Sequence, residues 1–214
     1  AFSLDPDGDA LTTDIVWSLE SDGGELGTGE TLALTPGLVA PDDVVVCTVT
    51  VSDPEGATAD GTDSLQLGNA DPTLSELGVS ADSADGLVYN DSTVSCAATA
   101  TDPDDRGVET VYSWRNDTTG DDLGSEAVLA LTAELATPGD ALLCTVTATD
   151  ADAGAATDSV SVAVENRPPE AGGITFTPSA PTSLDDVSCA AASPSDLDED
   201  GVRVAYSWQR DGAA

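Results

Sequence analysis

The chain has 214 residues and a formal net charge of −36, with 41 Asp and Glu against five basic residues, all of them Arg. So acidic a chain excludes nucleic acid and anionic membrane as electrostatic partners, because both need clustered cations. Aromatic residues make up only 4%, yet the apolar residues fall in short alternating runs of β-branched and small side chains, and that pattern excludes a disordered polar chain.

In chain order, the first feature is the acidic stretch DPDGD at residues 5–9, followed by a run ending in Trp17 and another around Cys47. The same order returns in DPDDRGVETVYSW, ending at Trp114, with Cys144 beyond it. Asp5 to Asp102, Trp17 to Trp114 and Cys47 to Cys144 are each 97 residues apart (102−5, 114−17, 144−47). That is the size of a small domain and far longer than a solenoid repeat. A third copy, DLDEDGVRVAYSW, ends at Trp208. The expected modules are residues 1–69, a partial copy lacking its first strands; 70–166, a complete one; and 167–214, a partial copy lacking its later strands. On this reading the chain is a stretch of a longer array.

Within the middle module, strands are predicted at Thr73–Ser80, Ser92–Thr101 and Val108–Arg115. Weaker ones follow near Leu123 and at Ala127–Thr132, then strong ones at Ala141–Thr149 and Asp158–Glu165. Gly, Pro, Asp and Asn clusters separate them. The predicted fold is all-β: tandem antiparallel β-sandwich modules of about seven strands each. The order Cys96…Trp114…Cys144 matches the immunoglobulin-type arrangement, in which two cysteines bridge the sheets and the Trp packs on the bridge. A reduced core pair remains the alternative. A metal role for these cysteines is disfavoured by the lack of His and of a CxxC pair. A disulfide implies an oxidising compartment, hence an extracellular or cell-surface location. Cys47 and Cys189 are expected to pair with partners upstream and downstream.

The DPDGD-type loops, the YSW at Tyr112–Trp114 and Tyr206–Trp208, and the linkers GNADP (68–72) and ENRPP (165–169) resemble the tandem Ig-like, PKD-like and cadherin-like repeats of bacterial and archaeal surface proteins. The resemblance implies a sandwich fold, export and calcium dependence. One departure is that the Tyr many Ig modules carry two residues before the second Cys is replaced by Val45 and Leu142.

Carboxylates at alternate positions on a turn let several oxygens converge on one hard cation. Asp5, Asp7 and Asp9 fit this in the first copy and Asp196, Asp198 and Asp200 in the third; the second copy has Asp102, Asp104 and Asp105. In the second copy Arg106 stands where a further ligand would be, and it is expected to weaken metal binding or to neutralise the loop itself. The plain alternative is an Asp/Gly turn with no metal. The geometry of an Ig sandwich brings the loop after the second strand to the loop after the sixth. Asp102 and Asp104 should therefore approach Asp150 and Asp152, and all four should face Asn69 and Asp71. Likewise Asp53 and Glu55 should neighbour Asp5 and Asp7, and Asn166 should neighbour Asp196 and Asp198. The expected cofactor is Ca²⁺ at the joints between modules. Three such ions would offset only about six charges, leaving roughly thirty to be screened by salt.

The functional expectation is an extracellular structural repeat segment: a stalk, fibre or adhesin spacer. Its partners are neighbouring modules or subunits of the same protein, extending to a filament. Glycans are a further candidate at the sequons Asn90-Asp91-Ser92 and Asn116-Asp117-Thr118. The competing reading is a carbohydrate-binding or spacer module of a secreted hydrolase. No catalytic constellation is present to suggest an enzyme: the chain has no His, no candidate Cys nucleophile and no phosphate-binding Gly loop.

Overall fold

The computed structural model describes residues 5–6 and 8–209. The described residues form β-strands and no helix, so no helix among them is long and apolar enough to cross a membrane. The strands are β1 (Thr12–Leu19), β2 (Glu25–Thr28), β3 (Val44–Ser52), β4 (Thr58–Gln66), β5 (Thr73–Ala81), β6 (Thr93–Thr101), β7 (Glu109–Asn116), β8 (Asp122–Gly124), β9 (Val128–Ala130), β10 (Ala141–Thr149), β11 (Ala155–Ala163), β12 (Ile174–Thr177) and β13 (Ser188–Ala191). They assemble into sheets ordered β2-β1-β3-β4, β11-β10-β7-β8, β5-β6-β9 and β12-β13. The pairs β1–β2, β1–β3, β3–β4, β6–β9, β7–β8 and β12–β13 are antiparallel.

The chain divides into two compact units. The first holds Ala1–Ser75, Thr99–Thr110 and Thr147–Thr157. Its β2-β1-β3-β4 sheet is zipped by full-length registers in which Trp17 faces Cys47 and Cys47 faces Asp63. Strand β3 reads VVVCTVTVS, a β-branched run suited to a central position, and Val45 is its buried anchor. Edge strand β4 reads TADGTDSLQ and is exposed throughout. Its Asp60 and Asp63 put charge on an edge that would otherwise invite pairing with another chain.

The second unit holds Glu76–Ala98, Val111–Val146 and Asp158–Ala214. Its core is built on Val94, Trp114, Leu131, Leu142, Val146 and Val164, each at most 5% exposed. A disulfide joins Cys96 on β6 to Cys144 on β10, with the Cα atoms 6.5 Å apart. It ties a strand of the β5-β6-β9 sheet to a strand of the β11-β10-β7-β8 sheet. Leu142, two residues before Cys144, is fully buried. Strands β12 and β13 form a separate hairpin in which Phe176 faces Cys189.

The 97-residue spacing reappears in the hydrogen bonds. The Trp17 indole N–H donates to Gly29 O (2.8 Å), and that of Trp114 donates to Glu126 O (3.1 Å). Asp43 accepts from the Ala40 amide (2.8 Å), and Asp140 from the Thr137 amide (2.9 Å). Asp53 accepts from the Ala57 amide and Asp150 from the Gly154 amide, both at 2.8 Å. An indole or amide N–H withdrawn from water must find an acceptor, and each pair finds it at the same offset.

Candidate functional site

In the first unit three acidic or polar segments meet: the linker Asn69–Asp71, the loop after β6 and the loop after β10. Asp102 and Asp150 each use Oδ1 to close a local turn. Asp102 Oδ1 accepts from the Asp104 amide (2.7 Å) and the Arg106 amide (3.3 Å). Asp150 Oδ1 accepts from the Asp152 and Gly154 amides, both at 2.8 Å. These are Asx turns, which is why Asp occupies these positions whether or not a cation is bound.

The second carboxylate oxygens reach between segments. Asp150 Oδ2 accepts from Asn69 Nδ2 (2.9 Å), and Asp104 Oδ2 accepts from the Ala70 amide (2.6 Å). Arg106 grips Asp152 with two donors, Nε to Oδ2 at 2.8 Å and Nη2 to Oδ1 at 3.3 Å. Asp102 and Asp104 lie close enough to reinforce the Arg106 charge. The approach of Asp102 and Asp104 to Asp150, Asp152 and the Asn69–Asp71 linker therefore occurs in the structure, with Arg106 as its internal cation.

Two further features mark this cluster. Asp102 Oδ2 is buried and has no hydrogen-bond partner. A Cβ added at Gly154 would meet Asp150 Oδ2, Asn69 Nδ2 and Asp71 Oδ1 at 2.5–2.7 Å, so these three side chains converge over a glycine that leaves them room. The Asp150 carboxyl is held below the usual Asp range, first by the Asn69 hydrogen bond, against desolvation, and then by the Gly154 and Asp152 amides and by Asp102. Among the described residues, no group of three or more His, Cys, Asp or Glu side chains stands at metal-binding spacing.

In the second unit a different solution appears. Asp198, whose side chain is fully buried, accepts from Arg167 Nε (2.8 Å) and from the Arg167 backbone amide. The same guanidinium reaches Asp91 (2.9 Å), Asn90 Oδ1 (3.2 Å) and Leu197 O (3.1 Å), and it stacks 4.6 Å over the Tyr89 ring. Asn90 Nδ2 returns a bond to Asp198 O (2.7 Å). Asp196 closes the turn by accepting from the Asp198 amide (2.8 Å). Asn166 is exposed and donates to Arg167 O (3.0 Å), and Asp200 is exposed. Both oxygens of Asp198 are thus occupied by arginine. Sequence reasoning missed Arg167, and the only signal for it was a lone cation inside the ENRPP linker.

The remaining expected ligands sit in local turns. Asp5 Oδ1 accepts from the Gly8 amide (3.1 Å), and Asp53 Oδ1 accepts from the Ala57 amide. Asp9 and Glu55 are exposed. Asp7 lies outside the described residues. Both sequon asparagines are buried, at 2% exposure for Asn90 and 1% for Asn116. A glycan on either would cost it the internal bonds its amide makes.

No protein-family model matches the chain, and no curated protein matches it either.

Proposed function

We propose that this chain is an extracellular structural repeat segment, a spacer of a stalk, fibre or adhesin, built from tandem Ig-like β-sandwich modules. The observation that carries this reading is the hydrogen-bond framework repeated 97 residues apart around Trp17 and Trp114. Repetition multiplies reach, which is what a spacer needs. A disulfide tying β6 to β10, together with a buried Trp114, supports the sandwich and an oxidising compartment. The large negative charge supports a protein that stays soluble when many copies are close together.

Calcium belongs to this proposal in the first unit. The residues that would hold it are Asn69, Asp71, Asp102 and Asp150, with Asp104 and Asp152 beside them. They fit on two counts. The buried Asp102 Oδ2 lacks a partner, and Gly154 keeps open the space where Asp150, Asn69 and Asp71 converge. A hard divalent cation there would supply the charge that lets adjacent carboxylates stay ionised and close together. Arg106 supplies part of that charge already, so affinity is expected in the weak extracellular range, on the order of 10⁻⁴–10⁻³ M. In the second unit Arg167 does the equivalent work for Asp198, and calcium is not needed there.

The test is thermal unfolding with calcium titrated against EGTA. Saturation at ten times the dissociation constant should stabilise the fold by about 1.4 kcal/mol. Gly154→Ala, which drives a methyl into the three converging side chains, should remove that response. A melting curve indifferent to calcium in the parent chain would eliminate the metal from the proposal and leave the spacer reading to the repeat alone.

A further inference from the structure

Two places in this chain bring an acidic loop onto a linker, and their backbones are built alike. In the first unit the loop after β6 meets the linker at Ala70, whose amide donates to Asp104 Oδ2 (2.6 Å). In the second unit the loop after β13 meets the linker at Arg167, whose amide donates to Asp198 Oδ2. Ala70 and Arg167 are counterparts, each following a linker asparagine, Asn69 or Asn166. Asp104 and Asp198 are counterparts too. Each donates its own amide to the carboxylate two residues earlier, at 2.7 Å to Asp102 and 2.8 Å to Asp196. The next residue takes a positive φ in both loops, 59° at Asp105 and 63° at Glu199.

The side chains at the two junctions differ in a compensating way. Four residues after the first loop carboxylate stands Arg106 in one loop and Asp200 in the other. At the linker position stands Ala70 in one and Arg167 in the other. Among the described residues, each junction thus has one arginine in its hydrogen-bond network, supplied from a different place in the sequence. Arg106 gives two donors to Asp152 and so ties the loop after β6 to the loop after β10. Arg167 ties Asp198 and Leu197 O to Asn90 and Asp91 and lies over the Tyr89 ring. The Asp198 side chain has no exposed surface. A carboxylate drawn out of water needs an opposite charge beside it. The linker amide is common to both junctions and carries no such charge.

We infer that each junction is closed by its own tethered arginine, so that closure needs no soluble cation. The interface formed is one in cis, and its partner is the next segment of the same chain. Calcium bound in the first unit adds stability to a junction that Arg106 already holds shut. A guanidinium suits the task because its planar fork serves several oxygens at once. Being part of the chain, it is not lost on dilution or chelation. This inference rests on the reading of the segments as repeats of one sandwich.

The test is amide hydrogen exchange of the 214-residue chain, read peptide by peptide in EGTA and in millimolar calcium. In the parent chain, residues 69–71 and 166–168 should exchange slowly in both. Arg106→Gln should speed exchange at 69–71 and 150–154 about tenfold in EGTA and leave 166–168 unchanged. Arg167→Gln should do the reverse, speeding 89–91 and 166–168 and sparing 69–71. Millimolar guanidinium should restore slow exchange in each variant, while NaCl at the same concentration should not. Parent junctions that open in EGTA would overturn the inference, as would variants that exchange like the parent. Guanidinium that restores nothing would assign the arginines to packing and overturn it too. If guanidinium restores Arg106→Gln while calcium changes exchange in neither chain, the metal leaves the functional proposal and this inference stands. If the amides of Leu142, Cys144 and Val146 are unprotected in the parent chain, the sandwich reading fails and this inference falls with it.

Discussion

Asn116 is 1% exposed and uses its whole amide. Its Nδ2 donates to Asp140 Oδ2 (2.9 Å) and Leu135 O (3.2 Å), while Oδ1 accepts from the Thr118 and Thr119 amides. Truncation would leave buried Asp140 short of a donor and strand two turn amides. Asn116→Ala is therefore expected to cost about 1–3 kcal/mol, read as a lowered urea midpoint with an unchanged slope. Acid should attack the same network. Burial pushes the Asp140 carboxyl up, but the Thr137 amide, the Asn116 amide and the Thr137 hydroxyl outweigh it and hold it below its ordinary value. Asp150 is also lowered, through Asn69. A folded-state pKa below the unfolded one gives stability that is present above the unfolded pKa of 3.8 and lost as pH falls through the folded value. Unfolding midpoints should thus drop below pH 3.8, and Asn69→Ala should flatten that drop. An unchanged pH profile in Asn69→Ala would show that the Asn69–Asp150 bond contributes nothing. At this scale the acidic loops were legible as turns, because Asp at alternate positions closes Asx turns with the local amides, as Asp102 and Asp150 do. Arg167 was not, because nothing in a local pattern says that a linker guanidinium folds back onto an Asp 31 positions later.

Strands were more legible than their ends. Ala141–Thr149 is predicted and found with the same bounds, because ALLCTVTAT alternates cleanly and the alternate residues Leu142, Cys144, Val146 and Ala148 are all buried. The last strand of the middle segment begins at Ala155, not Asp158. Its polar opening reads as turn in isolation, but it lies beside β10 in the sheet, where Thr147 and Thr157 hydroxyls meet at 3.0 Å, and the ladder overrides local preference. Strand β9 spans three residues where six were expected, because it lies at the sheet edge and pairs with β6 over three positions. Between these elements the disulfide has the largest single effect. It closes a separation of 48 residues, for which chain entropy gives about 4 kcal/mol. Cys96→Ser should lower stability by that order, and Cys96→Ser/Cys144→Ser should cost little beyond it. Reductant should destabilise the parent chain and leave the double variant unaffected. Full stability in the double variant would mean that packing of Trp114 and Leu142, not the bridge, holds the two sheets together.

At the scale of the molecule the governing quantity is charge. Among the described residues, two arginines are committed to particular carboxylates at short range: Arg106 to Asp152 and Arg167 to Asp198 and Asp91. Arg115 lies 3.9 Å from Asp117 with both side chains more than half exposed, a pair worth little in water. Most of the 41 acidic groups therefore face one another through solvent. Folding concentrates them, so mutual repulsion opposes the compact state more than the extended one. The screening length falls from about 30 Å at 0.01 M salt to about 3 Å at 1 M, and over that range most of the repulsion should vanish. The melting temperature is expected to climb steadily with NaCl up to molar concentration, and KCl should do the same. That response separates from calcium binding by its shape. Screening by a monovalent salt grows gradually and does not care which cation is used. Occupancy of a site saturates near millimolar calcium and disappears in Gly154→Ala. A chain whose melting temperature ignores NaCl between 0.01 and 1 M would mean that its carboxylates are already spaced beyond mutual reach, and the large negative charge would then bear on solubility alone.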